Sequence, residues 1–175
     1  MSSGYTYPPA DPAIADIVER LTINLAAMPE LIQQFSADLL QGKSLGECRG
    51  IAAHELDSLY QLAQALCNEE QFAHALPICL NLLIHQPAKP DYLFICASCL
   101  QRLSQHKEAA QLFQQLCQLD VFHVAAAYRL GECMEALGDR EAAKVQFNRC
   151  IDLSYGDDRY RHLQTFAKDK ISRYN

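Results

Sequence analysis

Cys96 and Cys99 are separated by two residues, which is half of the paired-thiol spacing used by zinc and redox sites. A closed site of that kind needs a second pair, and the other six of the eight cysteines supply none. The six histidines, at 54, 74, 85, 106, 123 and 162, do not form a His-Glu-x-x-His arrangement, and no glycine-rich loop is present to cradle phosphate. Glu69-Glu70 and Asp157-Asp158 are adjacent carboxylates in turn-like contexts, where solvated charge is expected rather than acid–base work. These residues point away from an enzyme and imply no cofactor and no metal. The chemistry that remains is recognition. Tyr60, Phe94 and Tyr128 recur at a constant interval, each flanked at helical spacing by polar or small residues. The flanking sets are Asp57, Gln64 and Cys67, then Asp91, Ser98 and Gln101, then Ala125, Glu132 and Glu135. Such a file holds an extended peptide by placing apolar side chains against rings and its backbone against polar groups. The competing reading packs the rings between neighbouring elements; the open face is preferred because adjacent positions already supply a core.

The interval of 34 residues belongs to a skeleton that positions these side chains. Leu62, Cys96 and Leu130 are in register, followed by Ala63, Ala97 and Gly131, then Leu66, Leu100 and Met134. Ala75, Ala109 and Ala143 come next, and then Cys79, Phe113 and Phe147. This is the tetratricopeptide pattern, in which small residues let two helices of a hairpin cross closely while larger apolar residues fill around them. Repeats are predicted at 56–89, 90–123 and 124–157, with Leu137-Gly138-Asp139 as a glycine stop followed by an N-cap. The expected fold is all-α: three stacked hairpins in a curved solenoid, an N-terminal helical extension over 11–55, and a C-terminal capping helix over 158–175. Residues 1–10 read as a flexible tail. Cys79, Cys96, Cys117 and Cys150 fall on apolar repeat positions and read as small core residues in a reducing compartment.

Within the extension, Ile14, Val18, Leu21, Leu25, Met28, Ile32, Phe35 and Leu39 alternate at spacings of four and three, a heptad seam carried past Pro29. The seam either packs on the first repeat or forms a homodimer interface, with Ile14, Val18, Leu21, Leu25 and Met28 at its centre; the sequence leaves both readings open. Net charge is −6, with ten acidic and three basic groups in residues 1–88 against eleven and twelve in 89–175. That balance disfavours nucleic acid and anionic membranes as partners. No apolar run reaches the length of a membrane span and no secretory leader is legible, so a cytoplasmic protein is expected.

The chain resembles the class II chaperones of bacterial type III secretion systems over about residues 40–157. Gly42-Lys43-Ser44-Leu45 and Gly50-Ile51 resemble the family's lead-in, and Leu59-Tyr60-Gln61-Leu62-Ala63 its first repeat helix. Pro90-Asp91-Tyr92 and Gly131-Glu132-Cys133 are similar to the openings of its second and third repeats. The resemblance implies a noncatalytic bacterial chaperone that keeps hydrophobic translocator proteins soluble and unassembled before export. It implies client binding in a concave groove, through an extended segment of the type Pro-x-Leu-x-x-Pro, and dimerisation through N-terminal helices. Some relatives also bind a transcriptional activator. Carried over by position, Tyr60, Gln64 and Cys67 lie where the family's first helix meets its client; the latter two are often aromatic in the family, which implies a shallower pocket here. On these grounds the peptide-binding residues are Tyr60, Gln64, Cys67, Asp91, Phe94, Ser98, Gln101, Tyr128 and Glu132. The alternative function is a general tetratricopeptide adaptor that assembles folded partners.

Overall fold

The computed structural model describes residues 12–23 and 25–174, and among them it contains eleven α-helices and no strand. The expected tail, Asp11 and Asn24 lie outside the described residues, as do the side chains of Ala13 and Leu25. The contacts divide the chain into two compact units, Met1–Pro87 and Ala88–Asn175.

In the first unit, α1 (Pro12–Leu21) is followed by a single 3-10 turn (Leu25–Ala27), α2 (Met28–Gln34), α3 (Ser36–Leu40) and α4 (Leu45–Cys48). The N-terminal seam therefore breaks after Leu21, before Pro29, which sits in the first turn of α2 where its missing N–H costs nothing. Two side chains account for the break. The Thr22 hydroxyl donates to the Val18 carbonyl at 2.6 Å, and the Ile23 N–H donates to Asn81 Oδ1 at 3.1 Å instead of continuing the helix. Leu21 is 2 % exposed and, with Val18, borders a small cleft lined by Leu59, Ile78 and Asn81. Leu21 is thus packed within its own chain, as in the reading that sets the seam against the first repeat. Ile14, Val18 and Met28 are half-buried. After α3, Gly42 takes φ +87° and turns the chain into α4, whose N-terminus is closed by reciprocal bonds between Ser44 and Glu47 at 3.2 and 2.7 Å.

The repeats are three helical hairpins: α5 (Ala53–Asn68) with α6 (Phe72–His85), α7 (Pro90–Arg102) with α8 (His106–Leu119), and α9 (Val124–Ala136) with α10 (Arg140–Leu153). The first pair lies in unit 1 and the other two in unit 2. Their turns are the same structure three times. Glu70, Ser104 and Gly138 take φ of +59°, +62° and +85°, and the next N–H bonds back to Leu66, Leu100 and Met134 at 2.8, 2.9 and 3.0 Å. This is the Schellman ending that glycine favours, adopted by glutamate and serine in two of the copies. Asp139 then caps α10 by accepting the Ala142 N–H at 2.9 Å. Ala63 and Ala75, Ala97 and Ala109, and Ala143 are fully buried, as the crossings require. In the third hairpin the close neighbour of Gly131 is a ring: a Cβ there would lie 2.7 Å from Phe147. Across unit 2, Arg149 of α10 donates to the carbonyls of Cys117 and Val121 at 3.1 and 3.0 Å and ties down the end of α8. The C-terminal helix α11 (Arg161–Ser172) packs on α10 with Ala167 buried at the contact, and its Lys170 pairs with Glu135 of α9.

Candidate functional site

The first helix of each hairpin turns one face to the core, and the residues singled out in the sequence, Tyr128 excepted, sit on the neighbouring face. In unit 1, Leu56, Leu59, Ala63 and Leu66 of α5 are buried, whereas Asp57 and Gln64 are exposed and Tyr60 and Cys67 half-buried. The ring of Tyr60 is therefore partly open to solvent between two polar positions.

In unit 2, Asp91 in the first turn of α7 is exposed, while Phe94, Ser98 and Gln101 are half-buried. Phe94 is held from two sides: edge-on to the buried Phe113 at 5.8 Å between centroids, and stacked on His123 at 5.2 Å. The position of His123 is fixed because its Nδ1 accepts the Ala126 N–H at 3.1 Å as the cap of α9. Ser98 donates its hydroxyl to the Phe94 carbonyl at 2.7 Å, which spends the polar group within the helix. Gln101 Nε2 donates to Glu132 Oε2 at 3.2 Å, linking α7 to α9, and Arg129 Nη1 donates to the same oxygen at 2.9 Å. The other amide atom, Gln101 Oε1, is buried without a protein acceptor–donor match.

Tyr128 departs from the expectation of an open aromatic. It is 6 % exposed, with its ring 5.6 Å from Phe147, because the missing side chain at Gly131 lets Phe147 enter deeply and Tyr128 closes over it. Burial, with the Glu132 carboxylate beside it, pushes the Tyr128 phenol up to about 12. Tyr128 is a wall of the hairpin core, and the partly open rings are Tyr60 and Phe94. At the far end of α9, burial alone would raise the Glu135 carboxyl, yet the Lys170 ammonium holds it below the ordinary range.

The cysteines sit as small apolar residues. Cys96 and Cys99 are fully buried, and burial pushes the thiols of Cys133 and Cys150 up to about 12 and about 11, so both stay protonated. Among the described residues no three or more His, Cys, Asp and Glu side chains converge to hold a metal ion, and no helix is long and apolar enough to cross a membrane.

One polar cluster was not singled out in the sequence. Arg49, Asn81 and His85 meet around the end of α1 in unit 1. Its signal was the pair Asn81 and His85, one helical turn apart in a helix whose residues from Ala75 to Ile84 are otherwise apolar.

A tetratricopeptide-repeat family model matches residues 125–155, which span α9 and α10. A search of curated protein sequences finds no match. Among solved structures, a type III secretion complex from Aeromonas hydrophila aligns with a TM-score of 0.74 at 19 % identity, covering 80 % of this chain and 93 % of that one. The Yersinia enterocolitica type III secretion translocator chaperone SycD, in an alternative dimer, aligns with a TM-score of 0.67 at 16 % identity, covering 70 % and 93 %. PcrH, from Pseudomonas aeruginosa, in complex with the chaperone-binding region of PopD, aligns with a TM-score of 0.68 at 20 % identity, covering 72 % and 98 %. These likenesses establish the fold. The chain has the all-α tetratricopeptide architecture of translocator chaperones, over nearly their whole length.

Proposed function

We propose that this protein is a cytoplasmic secretion chaperone that binds an extended segment of hydrophobic type III translocators and keeps them soluble and unassembled before export. The observation that carries the reading is the shared fold with PcrH, whose solved form includes the chaperone-binding region of a second protein. The residues of this chain support it locally. Tyr60 and Phe94 offer partly open rings, and Asp57, Gln64 and Asp91 offer exposed polar groups beside them. In unit 1 Cys67 lies on the same helix face as Tyr60, and in unit 2 Ser98 and Glu132 lie near Phe94, with Tyr128 buried in the third hairpin. The test is coexpression with neighbouring reading frames that encode long apolar segments. The client is expected to be insoluble alone and to copurify in soluble form with this protein. A partner equally soluble without it marks an adaptor instead.

The same reading extends to self-association, with α2 and α3 in place of α1. Neither helix has a buried residue, Ile32 is 51 % exposed and Leu40 89 % exposed. Covering such side chains contributes ~1.5–3 kcal/mol each, enough for a weak dimer after association costs. Ile32→Glu with Leu40→Glu is expected to shift sedimentation toward monomer while helicity is kept. A native chain already monomeric at high micromolar concentration would remove the dimer.

A further inference from the structure

Helix α1 is tied to unit 1 around one buried histidine. His85, in the last turn of α6, is fully buried. Its Nδ1 lies 2.7 Å from the Asn81 carbonyl, which can only accept, so Nδ1 carries the proton. Its Nε2 lies 2.6 Å from Arg49 Nη1, which can only donate, so Nε2 must be the bare acceptor. The neutral ring thus aims the Arg49 guanidinium, whose Nη2 donates to the Arg20 carbonyl at 3.0 Å and whose Nη1 reaches the Leu21 carbonyl at 3.5 Å. These are the last carbonyls of α1, the end that favours a cation. Beside them Asn81 is held by its own Nδ2 bond to the Pro77 carbonyl at 3.0 Å and receives the Ile23 N–H. Leu21 lies at the cleft with Leu59 and Ile78.

We infer that α1 is a pH-released strap: protonation of His85 turns its acceptor nitrogen into a donor that faces Arg49, expels the guanidinium from the end of α1 and frees the helix from Leu59 and Ile78. Of the charged groups on the surrounding elements, Arg49 is the one that faces the ring. Arg20 of α1 is engaged by Asp16 and by Glu55 of α5, and Glu47 of α4 is engaged by Ser44. Burial, opposed by the Asn81 carbonyl and reinforced by the Arg49 charge, sets the His85 pKa below its ordinary 6.5. The sign follows from that direction. Docking is complete above about pH 6.5, where the released ring is also neutral, and weakens as pH falls toward the depressed value of the docked ring. Glu55 remains ionised through this window, since the Arg20 hydrogen bond and the Ala52 N–H hold it below the ordinary carboxylate range.

Amide hydrogen exchange of the segment 12–23, corrected for the intrinsic pH dependence, tests the strap on the full chain. Protection is expected to be constant above neutral pH and to fall by as much as about tenfold per pH unit below about pH 6.5, where the released ring takes up a proton, while α7 to α10 keep theirs. His85→Gln, which offers an acceptor to Arg49 but does not titrate, should hold α1 at every pH. If that variant fails to dock α1 at all, the wild-type ring titration followed by nuclear magnetic resonance decides, since protection must fall only between about pH 6.5 and the midpoint of the ring and level off below it. Protection of 12–23 that is independent of pH, that goes on falling below the midpoint of the ring, that falls equally in a docked His85→Gln, or that is lost together with the repeats would overturn the strap.

Discussion

Alanine at Gly131 is expected to destabilise the protein, although in an ordinary helix interior the same change gains about 1 kcal/mol. The added Cβ would stand 2.7 and 2.8 Å from two atoms of the Phe147 ring. That ring is fully buried, with Tyr128 5.6 Å away, so it has little room to swing aside. Overpacking of this kind costs ~1–3 kcal/mol. Phe147→Ala should cost more, ~3–5 kcal/mol, through the cavity it leaves. The two changes must then couple. Once the ring is gone, Gly131→Ala meets no obstacle and should become neutral or stabilising, giving a large interaction energy in a double-mutant cycle followed by denaturant unfolding. An equal penalty in both backgrounds would mean that Phe147 is not what demands glycine at this crossing.

The same pair of residues shows which features the sequence could disclose. Gly131 and Phe147 were legible because a 34-residue repetition places them beside Ala97 and Phe113, and because the helix–turn–helix unit obeys local rules at every copy. Glu70 and Ser104 follow the same turn as Gly138 despite lacking the residue type that advertises it, since the backbone bonds of the turn are imposed by the hairpin. The burial of Tyr128 was not legible. It depends on how far one particular ring penetrates past one particular glycine, and repeat register treats Tyr60, Phe94 and Tyr128 alike. The point at which the N-terminal seam breaks was not legible for a related reason. Its spacing continues through Thr22 and Ile23, but the helix stops there because Asn81, far along the chain, takes the Ile23 N–H. Arg49, Asn81 and His85 meet across gaps of 32 and 36 residues from arginine to the other two, and no period marks such a meeting.

Alanine at Tyr60 or at Phe94 is expected to weaken binding of a translocator segment by about tenfold or more, the ~1–3 kcal/mol typical of a truncated anchor residue. Phe94 is the sharper case. Phe113 and His123 hold its ring at 5.8 and 5.2 Å, so little conformational freedom remains to be lost when a client side chain packs against it. Tyr60 stands between exposed Asp57 and Gln64, and its removal should leave the α5 core of Leu56, Leu59 and Ala63 intact. Tyr128→Ala should behave differently. With its ring 6 % exposed, truncation opens a void against Phe147, so the melting temperature falls before affinity does. Calorimetric titration of each variant with a copurifying client segment, paired with thermal melts, separates the two classes. Wild-type affinity in both Tyr60→Ala and Phe94→Ala would show that the client lies elsewhere. An affinity loss at Tyr128 as large as at Phe94, without a fall in stability, would return that ring to the binding face.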